Sequence, residues 1–460
     1  MKIIFISLDT LRAKRLGSYG YRLPTSPYID HIASQGALFE SAYASDIPTE
    51  VAHTSIFTGN VGLTTGVVSH GSPSTYLPKE YDWLPAILRK AGYTTAAVDN
   101  MYNLKEWFAR GYQYYMNSVG KTRWIDGQAI NKLAKPWIKE HKDEDFFLFL
   151  HYWDPHTPYL PPKEYIPSFY DSNKDPYDPT NKSMEPAFNH PAYPFFKYHH
   201  YDLLGKITDV NYVNALYDAE IRYLDDLLKD LDEFLYNEGI QEDTLLVLFG
   251  DHGESLTEHD IYWDHCGLYE ETVHIPVIIR WPGHIPAGVR ISNLVQHVDI
   301  MPTILESLGL ETPKNIDGKS LWPLIRGDQV EHHKEIYLSE CAWQAARGIR
   351  TDRFKYIETY DSGPFTRPPV ELYDLIKDPN EENNLVDLYP KQVEGYRNKL
   401  NNWVQSKLDH REDPMERVIM QEGLPFRKRI EKVLSEYSLS WDDWKENPRR
   451  ERIDFAVRIQ

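Results

Sequence analysis

The sequence predicts an α/β protein: a mostly parallel central sheet flanked by helices, followed by a smaller antiparallel C-terminal α+β subdomain. Apolar runs of strand length stand at 2–8 (KIIFISL), 146–150 (FFLFL) and 244–249 (TLLVLF), and unbroken apolar runs suit strands buried on both faces. Stretches with helical spacing lie between them, the alternation expected of a parallel sheet with helices on its faces. Beyond about residue 335 the pattern becomes short strands and turns, as an antiparallel unit requires.

Taken in order, the first strand runs from Lys2 to Leu8 and ends at Asp9. A helix is predicted near Ile29 to Gly36, a second begins at Thr49, and a third lies near Trp83 to Ala91, ahead of a strand from Tyr93 to Val98. The strand from Phe146 to Leu150 leads into His151, Asp154 and His156. Residues 160–205 lose periodicity and become rich in Pro, Tyr, Phe, Asn and His; this aromatic density predicts an ordered lid or substrate wall rather than disorder. From Val210 to Tyr236 the spacing is helical, with Leu224, Leu227, Leu228 and Leu231 on one face. The strand from Thr244 to Phe249 ends at Gly250-Asp251-His252-Gly253. Another strand is predicted from Val273 to Arg280 and a helix from Met301 to Leu308. Past residue 335, strands near 335–338, 348–351 and 354–358 precede a packing helix near Gln392 to Leu408. The predicted organisation is thus an α/β catalytic domain over 1–334, an antiparallel subdomain over 335–414 and a charged extension over 415–460, either an oligomer arm or a solvated helical tail.

With 460 residues the chain has ample length for a large core. A formal net charge of -19 argues against a nucleic-acid polymer or an anionic membrane as partner. A small anionic ester remains possible as substrate, provided positive charge is supplied locally. Two cysteines, Cys266 and Cys341, indicate no disulfide framework. No apolar run reaches spanning length and the first strand begins at residue 2, so the expectation is a cytoplasmic protein without membrane insertion. A homo-oligomer is left open.

In an open α/β sheet, ligands sit outside the carboxyl ends of the strands. Asp9, Asp251 and His252 would converge there, and Thr49, at a helix N-terminus where backbone N–H groups favour an anion, is placed to join them. Two carboxylates, an imidazole and a hydroxyl make a divalent-metal shell. Coordination supplies what Thr lacks, because an unassisted hydroxyl is a poor nucleophile near neutral pH.

Several segments resemble the sulfatase-like branch of the alkaline phosphatase superfamily: Asp9-Thr10-Leu11-Arg12, Thr54-Ser55-Ile56-Phe57-Thr58-Gly59, Gly250-Asp251-His252-Gly253-Glu254 and Leu268-Tyr269-Glu270-Glu271. Val298-Asp299-Ile300-Met301-Pro302-Thr303, Asp317-Gly318-Lys319-Ser320-Leu321 and Glu371-Leu372-Tyr373-Asp374-Leu375 with Asp378-Pro379 continue the series, in order, to about residue 400. The resemblance implies an alkaline phosphatase/sulfatase-like fold and places Thr49 at the nucleophile. Family sulfatases carry Cys or Ser there, followed by x-Pro-x-Arg, and oxidise it to formylglycine. Here Val51 and His53 replace the Pro and Arg, and Thr cannot give the aldehyde.

Thr nucleophiles in the superfamily belong to phosphodiesterases and phosphotransferases. The implied activity is therefore metal-dependent hydrolysis of phosphate diesters or phosphonate monoesters through a phospho-threonine on Thr49. The alternatives are a sulfatase without formylglycine and phosphotransfer to a glycan or lipid alcohol. The family's Lys before Leu-Tyr-Glu-Glu is His265, and a Gly-Lys-Trp-His segment reads Asp99-Asn100-Met101-Tyr102. Imidazoles gained in place of these cations favour Zn or Mn over Ca. The first metal is assigned to Asp9, Thr49, Asp251 and His252, and a second metal to Asp154, His156 and His265. Otherwise, His156 would hydrogen-bond the substrate and His265 would act as general acid. His70, Asn100 and His53 are expected to face the substrate. Arg12 is an ion-pair candidate, Glu254 a supporting residue, and His259, His274, His297, His332 and His333 ordinary histidines.

Overall fold

The computed structural model describes residues 1–117 and 126–457. Its central sheet has eight strands, in the spatial order Val289–Ile291, Ala37–Phe39, Val277–Arg280, Thr244–Gly250, Lys2–Leu8, Phe146–Tyr152, Thr94–Val98 and Tyr114–Met116. All pairings are parallel except those of Val277–Arg280, which runs antiparallel to both neighbours. The three apolar runs read from the sequence form the centre of the sheet. Each is almost wholly buried along its length, because helices cover both faces. The long helix Val210–Asn237 buries Leu224, Leu227, Leu228 and Leu231 as its spacing requires.

The predicted strand from Val273 to Arg280 is broken. Glu270–Val273 forms a helical turn, and the strand proper starts at Val277. Pro276, just ahead of it, has no N–H to donate to a ladder.

A second sheet runs Val370–Asp374, Phe354–Asp361, Ala345–Thr351, Glu335–Cys341, antiparallel throughout. Its free edge pairs in parallel with Asp46–Ile47, Ser339 opposite Asp46 and Glu340 opposite Ile47. Those two residues lead into the helix Thr49–Thr58, so the C-terminal sheet braces the segment that presents Thr49.

Residues 160–205 are ordered, with short helices at Glu185–Phe188 and Tyr193–His199. The extension beyond residue 415 packs on the rest of the chain rather than standing as a solvated tail: its helices Pro425–Glu436 and Trp441–Glu446 bury Phe426, Ile430, Leu434, Trp441 and Trp444. Phe426 stacks on Trp343 (4.6 Å between ring centroids) and meets Phe195 edge-on (5.4 Å). Trp444 Nε1 donates to the Pro191 carbonyl at 2.9 Å. This apolar burial answers the scattered aromatics of the tail, whose charged residues occupy the opposite face. Both cysteines are buried and free, and no helix of the described residues is long and apolar enough to cross a membrane.

Candidate active site

Sheet register sets the site. Leu8 lies level with Gly250 and, on its other side, with Tyr152. The residues that follow these strand ends therefore emerge side by side: Asp9 from one, Asp251 and His252 from the next. All three are fully buried, and one ligand atom from each lies within 4.8 Å of the others. Gly253 permits this turn, since a Cβ there would fall 2.1 Å from the Glu271 carbonyl oxygen. Thr10, a β-branched residue, adopts φ 58°, a conformation such residues rarely take. Its N–H donates to Asp251 Oδ1 (3.2 Å) and its carbonyl accepts from Tyr217 OH (2.7 Å), which hold it there.

Asp9 Oδ1, Asp251 Oδ2 and Thr10 Oγ1 are buried and receive no hydrogen bond. Leaving carboxylate oxygens in that state is costly, and a cation among them removes the cost. Burial and the nearby Asp9 push the Asp251 carboxyl up to about 7. Burial also works to raise Asp9, but the hydrogen bond from His151 and the charges of His156, His151 and His252 outweigh it and bring Asp9 below its usual value. The donor set fits a divalent metal, held by Asp9, Asp251 and His252 with Thr49 or Thr10 as neutral oxygen.

His151 was visible in the sequence only as part of a histidine-rich strand end; the structure gives it a defined position. Its Nε2 meets Asp9 Oδ2 at 3.1 Å and its Nδ1 meets Asp99 Oδ1 at 2.9 Å. Both partners accept only, so both nitrogens carry protons. Burial opposes that charge, yet the two carboxylates win and raise the imidazole to about 10. Asp99 is fixed in turn by Tyr115 OH (2.6 Å) and Met101 N–H (2.9 Å), both donating to Oδ2.

Thr49 opens the helix Thr49–Thr58 as predicted and is 2 % exposed. Three amide donors of that turn are engaged within the protein: Val51 and Ala52 N–H donate to the Pro48 carbonyl and Glu50 N–H to His70 Nδ1. Thr49 Oγ1 lies 3.1 Å from His252 Nε2. His252 Nδ1 donates to the Gly253 carbonyl (3.0 Å), which orients Nε2 toward Thr49.

His53, expected to face the substrate, does not line the cavity beside Thr49. It is fully buried beneath the carboxylates, with Nδ1 donating to the Thr49 carbonyl (2.9 Å), 3.6 Å from Asp251 Oδ2, and Nε2 accepting from Ser7 Oγ (2.8 Å). Burial and His151 hold it well below the usual imidazole value. Asn100, buried at the head of the turn Met101–Asn103, does not line the cavity beside Thr49.

His70, His156 and His265 do line that cavity, of about 50 Å³, together with Thr49 and Arg429. His265 Nδ1 lies 3.1 Å from Glu254 Oε2, and Tyr159 OH donates to the other oxygen of Glu254. Burial and the neighbouring His252, His156 and His70 keep His265 well below its ordinary value. His156 Nδ1 donates to the Thr157 carbonyl at 2.6 Å, and its ring faces that of His265 at 5.0 Å.

The predicted second metal site loses its carboxylate. Asp154 Oδ2 accepts from Gly127 N–H (3.0 Å) at the start of the helix Gly127–His141. A side chain at 127 would crowd that oxygen, since its Cβ would lie 3.0 Å away. Burial and Asp126 push Asp154 up to about 7. Asp154, His156 and His265 do not form a metal-sized cluster among the described residues. His156 and His265 line the cavity beside Thr49. A larger cavity of about 440 Å³ adjoins, sharing Trp153, His156 and Phe196, and is lined elsewhere by Tyr198, Leu203 and Glu220. The aromatic insertion thus does form a wall.

Arg12 pairs with Glu258 at 3.0 Å and donates to the Glu254 carbonyl (3.1 Å). His259 stacks on Tyr269 at 3.7 Å. His332 and His333 are less ordinary than expected, because both Nε2 atoms converge on Asp299 (3.3 and 3.0 Å). Asp299 also accepts from Gln296 and Lys319 N–H, so the cluster ties residues 332–333 to the start of the helix Ile300–Ser307. Arg429, outside the region of resemblance, had no sequence signal.

The sulfatase family profile matches residues 2–310, and the profile described as N-sulphoglucosamine sulphohydrolase, C-terminal, matches residues 257–416. N-acetylglucosamine-6-O-sulfatase of Bacteroides thetaiotaomicron is 24% identical over 467 residues, covering 83% of this chain and 82% of the relative. Arylsulfatase K of Rattus norvegicus is 25% identical over 501 residues, covering 97% and 86%. Among solved structures, the phosphonate monoester hydrolase of Agrobacterium radiobacter superposes with a TM-score of 0.71 at 22% identity, covering 88% of this chain and 96% of that one. The fold, the strand-end cluster and these matches together show that the chain belongs to the sulfatase family, within the alkaline phosphatase superfamily.

Proposed function

We propose that the chain hydrolyses sulfate esters of small hydroxylated organic molecules, with Thr49 as nucleophile. The preference expected from the Thr alone, phosphate diesters or phosphonates, gives way because the relatives similar along the chain are sulfatases. The observation that carries the proposal is Thr49 Oγ1 beside His252 Nε2 at 3.1 Å, against two buried carboxylate oxygens without partners. A divalent ion held by Asp9, Asp251 and His252 would supply positive charge that eases loss of the Thr49 proton; the imidazole in the set supports Zn or Mn over Ca.

Thr49 Oγ1 attacks sulfur as its proton passes to water, the sulfur–oxygen bond to the alcohol breaks, and sulfo-threonine is left. The leaving oxygen takes its proton from water at the cavity face lined by His265 and His156, whose Nδ1 atoms are already engaged. Water then attacks sulfur, the bond to Thr49 Oγ1 breaks, and sulfate and the hydroxyl are restored.

A second reading, phosphonate monoesters or phosphate diesters through phospho-threonine, is favoured by the hydroxyl itself. In-line displacement and release by water need no aldehyde. The two readings separate on matched aryl esters: a sulfate, a phosphate monoester, a phosphate diester and a phosphonate monoester, with bound metal counted in the same preparation. Sulfate ester turnover as the highest kcat/KM is expected. Dominant diester or phosphonate turnover would replace the first reading with the second.

A further inference from the structure

The cavity over Thr49 has to receive an oxyanion, yet acidic residues crowd it: Asp9 and Asp251 beside His252, Glu254 on His265, Glu50 on the next residue, and Asp264 in its wall. The histidines that line it do not make up the difference. His265 has its Nδ1 on Glu254 Oε2 at 3.1 Å. His70 offers Nδ1 to the Glu50 N–H, and His156 has its Nδ1 on the Thr157 carbonyl. Arg429 is the one Lys or Arg among the described residues that line the cavity.

Arg429 stands on the helix Pro425–Glu436, past the end of both family matches. Its guanidinium lies over the Phe426 ring at 4.7 Å, and one of its nitrogens packs against the Gly71 backbone, 3.0 Å from where a Cβ would stand. Phe426 itself stacks on His70 and on Trp343, so the helix is seated and the guanidinium held. Among the described residues no carboxylate comes within 4.0 Å of it, although Glu50 acts on it from farther off. An Arg cannot shed its charge near neutral pH, and its planar fork of donors matches the oxygens of a tetrahedral oxyanion. A held guanidinium facing the nucleophile with no paired carboxylate is a preformed anion site.

We propose that Arg429, delivered by the C-terminal helix, binds the non-bridging oxygens of the ester above Thr49 as the permanently charged side chain lining the site's substrate pocket. This rests on the reading that the oxyanion of the substrate sits at Thr49. The C-terminal segment is then part of the active site: it closes the cavity and supplies the charge that an acidic chain needs to hold an anionic ester. The competing role is structural, with Arg429 present to offset the buried Glu50. Glu50 Oε2 is held by Gly71 N–H at 2.8 Å, while its other oxygen has no hydrogen bond and Lys105 stands 3.8 Å away.

The test is binding of inorganic sulfate and inorganic phosphate by isothermal calorimetry to the metal-loaded protein, with Arg429→Gln, Arg429→Lys and the double variant Glu50→Gln/Arg429→Gln. One charge-assisted contact is worth about a 10- to 100-fold change. Arg429→Gln should weaken anion affinity by that factor, Arg429→Lys should recover part of it, and the double variant should regain any lost thermal stability without regaining affinity. If Arg429→Gln does not fold, the double variant, relieved of the Glu50 charge, serves for the same measurement. Unchanged anion affinity in the Gln variants, or full recovery of affinity in the double variant, would overturn the assignment. Because the readout is anion binding, it stands apart from ester turnover: failure to hydrolyse sulfate esters would count against the proposed reaction and not against Arg429.

Discussion

Replacing Asp99 by Asn tests the proton-bearing bridge under the site. In the native protein the carboxylate takes three hydrogen bonds. His151 Nδ1–H goes to Oδ1, and Tyr115 OH and Met101 N–H go to Oδ2. An Asn has one accepting oxygen and one donating amide. If its oxygen faces His151, the NH2 confronts the Met101 N–H, which cannot become an acceptor. If its oxygen faces Met101, the NH2 confronts His151 Nδ1–H, and the imidazole must shed that proton. The first arrangement leaves the buried Met101 N–H unpaired, the second strips His151 of its Nδ1 proton, and both remove one of the two charges that hold His151 protonated. Breaking one partner of a buried pair costs about 3–5 kcal/mol. Loss of an outer partner that orients a metal ligand costs about 10- to 100-fold in metal affinity or activity. Urea unfolding of metal-free protein reads the first figure, and metal titration followed by ester turnover reads the second. A variant as stable as the native protein, binding metal equally well, would refute the bridge.

Glu340, buried on the strand Glu335–Cys341, accepts from Gly267 N–H at 2.8 Å through one oxygen, while the other has no partner. Burial first, and Asp264 nearby, push its carboxyl up to about 8. The folded protein therefore holds a proton there that the unfolded chain has lost, so this contribution is complete below about pH 4.5 and is lost as pH rises toward 8. One such proton gives a slope of about 1.4 kcal/mol per pH unit. Denaturation midpoints measured across that window should fall less steeply in Glu340→Gln, which keeps the bond from Gly267; an identical slope would contradict the assignment. Ile430, wholly buried on the same helix as Arg429, should cost about 2–5 kcal/mol on truncation to Ala, read by urea unfolding. A loss of a few tenths would mean that the C-terminal helix is not part of the core.

Much of the framework was legible from composition and spacing. The runs at 2–8, 146–150 and 244–249 are strands because uninterrupted β-branched, Leu and Phe residues suit a ladder covered on both faces. Their ends carry Asp9, Asp251 and His252 to one place because adjacent parallel strands share register. What spacing does not encode is which strands are neighbours. Asp99 and His151 come together because Val98 lies level with Leu150, a pairing between segments some fifty residues apart, and without it neither looked like a supporting residue. Asp154 and His53 misled for the same reason. Each is near a site residue in the chain, yet one caps a helix and the other points beneath the carboxylates. The extension 415–460 read as charged, but its apolar residues recur on one face of each helix and bury there. Its cation reaches the cavity through packing that no local pattern announces.

The most direct test of Thr49 as nucleophile is intact-protein and peptide mass measurement after rapid acid quench of turnover on the aryl ester with the highest kcat/KM, with Thr49→Ala alongside. A sulfo or phospho adduct on the peptide carrying Thr49, and a fall in kcat of about a thousandfold or more in Thr49→Ala, is the predicted result. Turnover that survives in Thr49→Ala, or an adduct on any other residue, would contradict it.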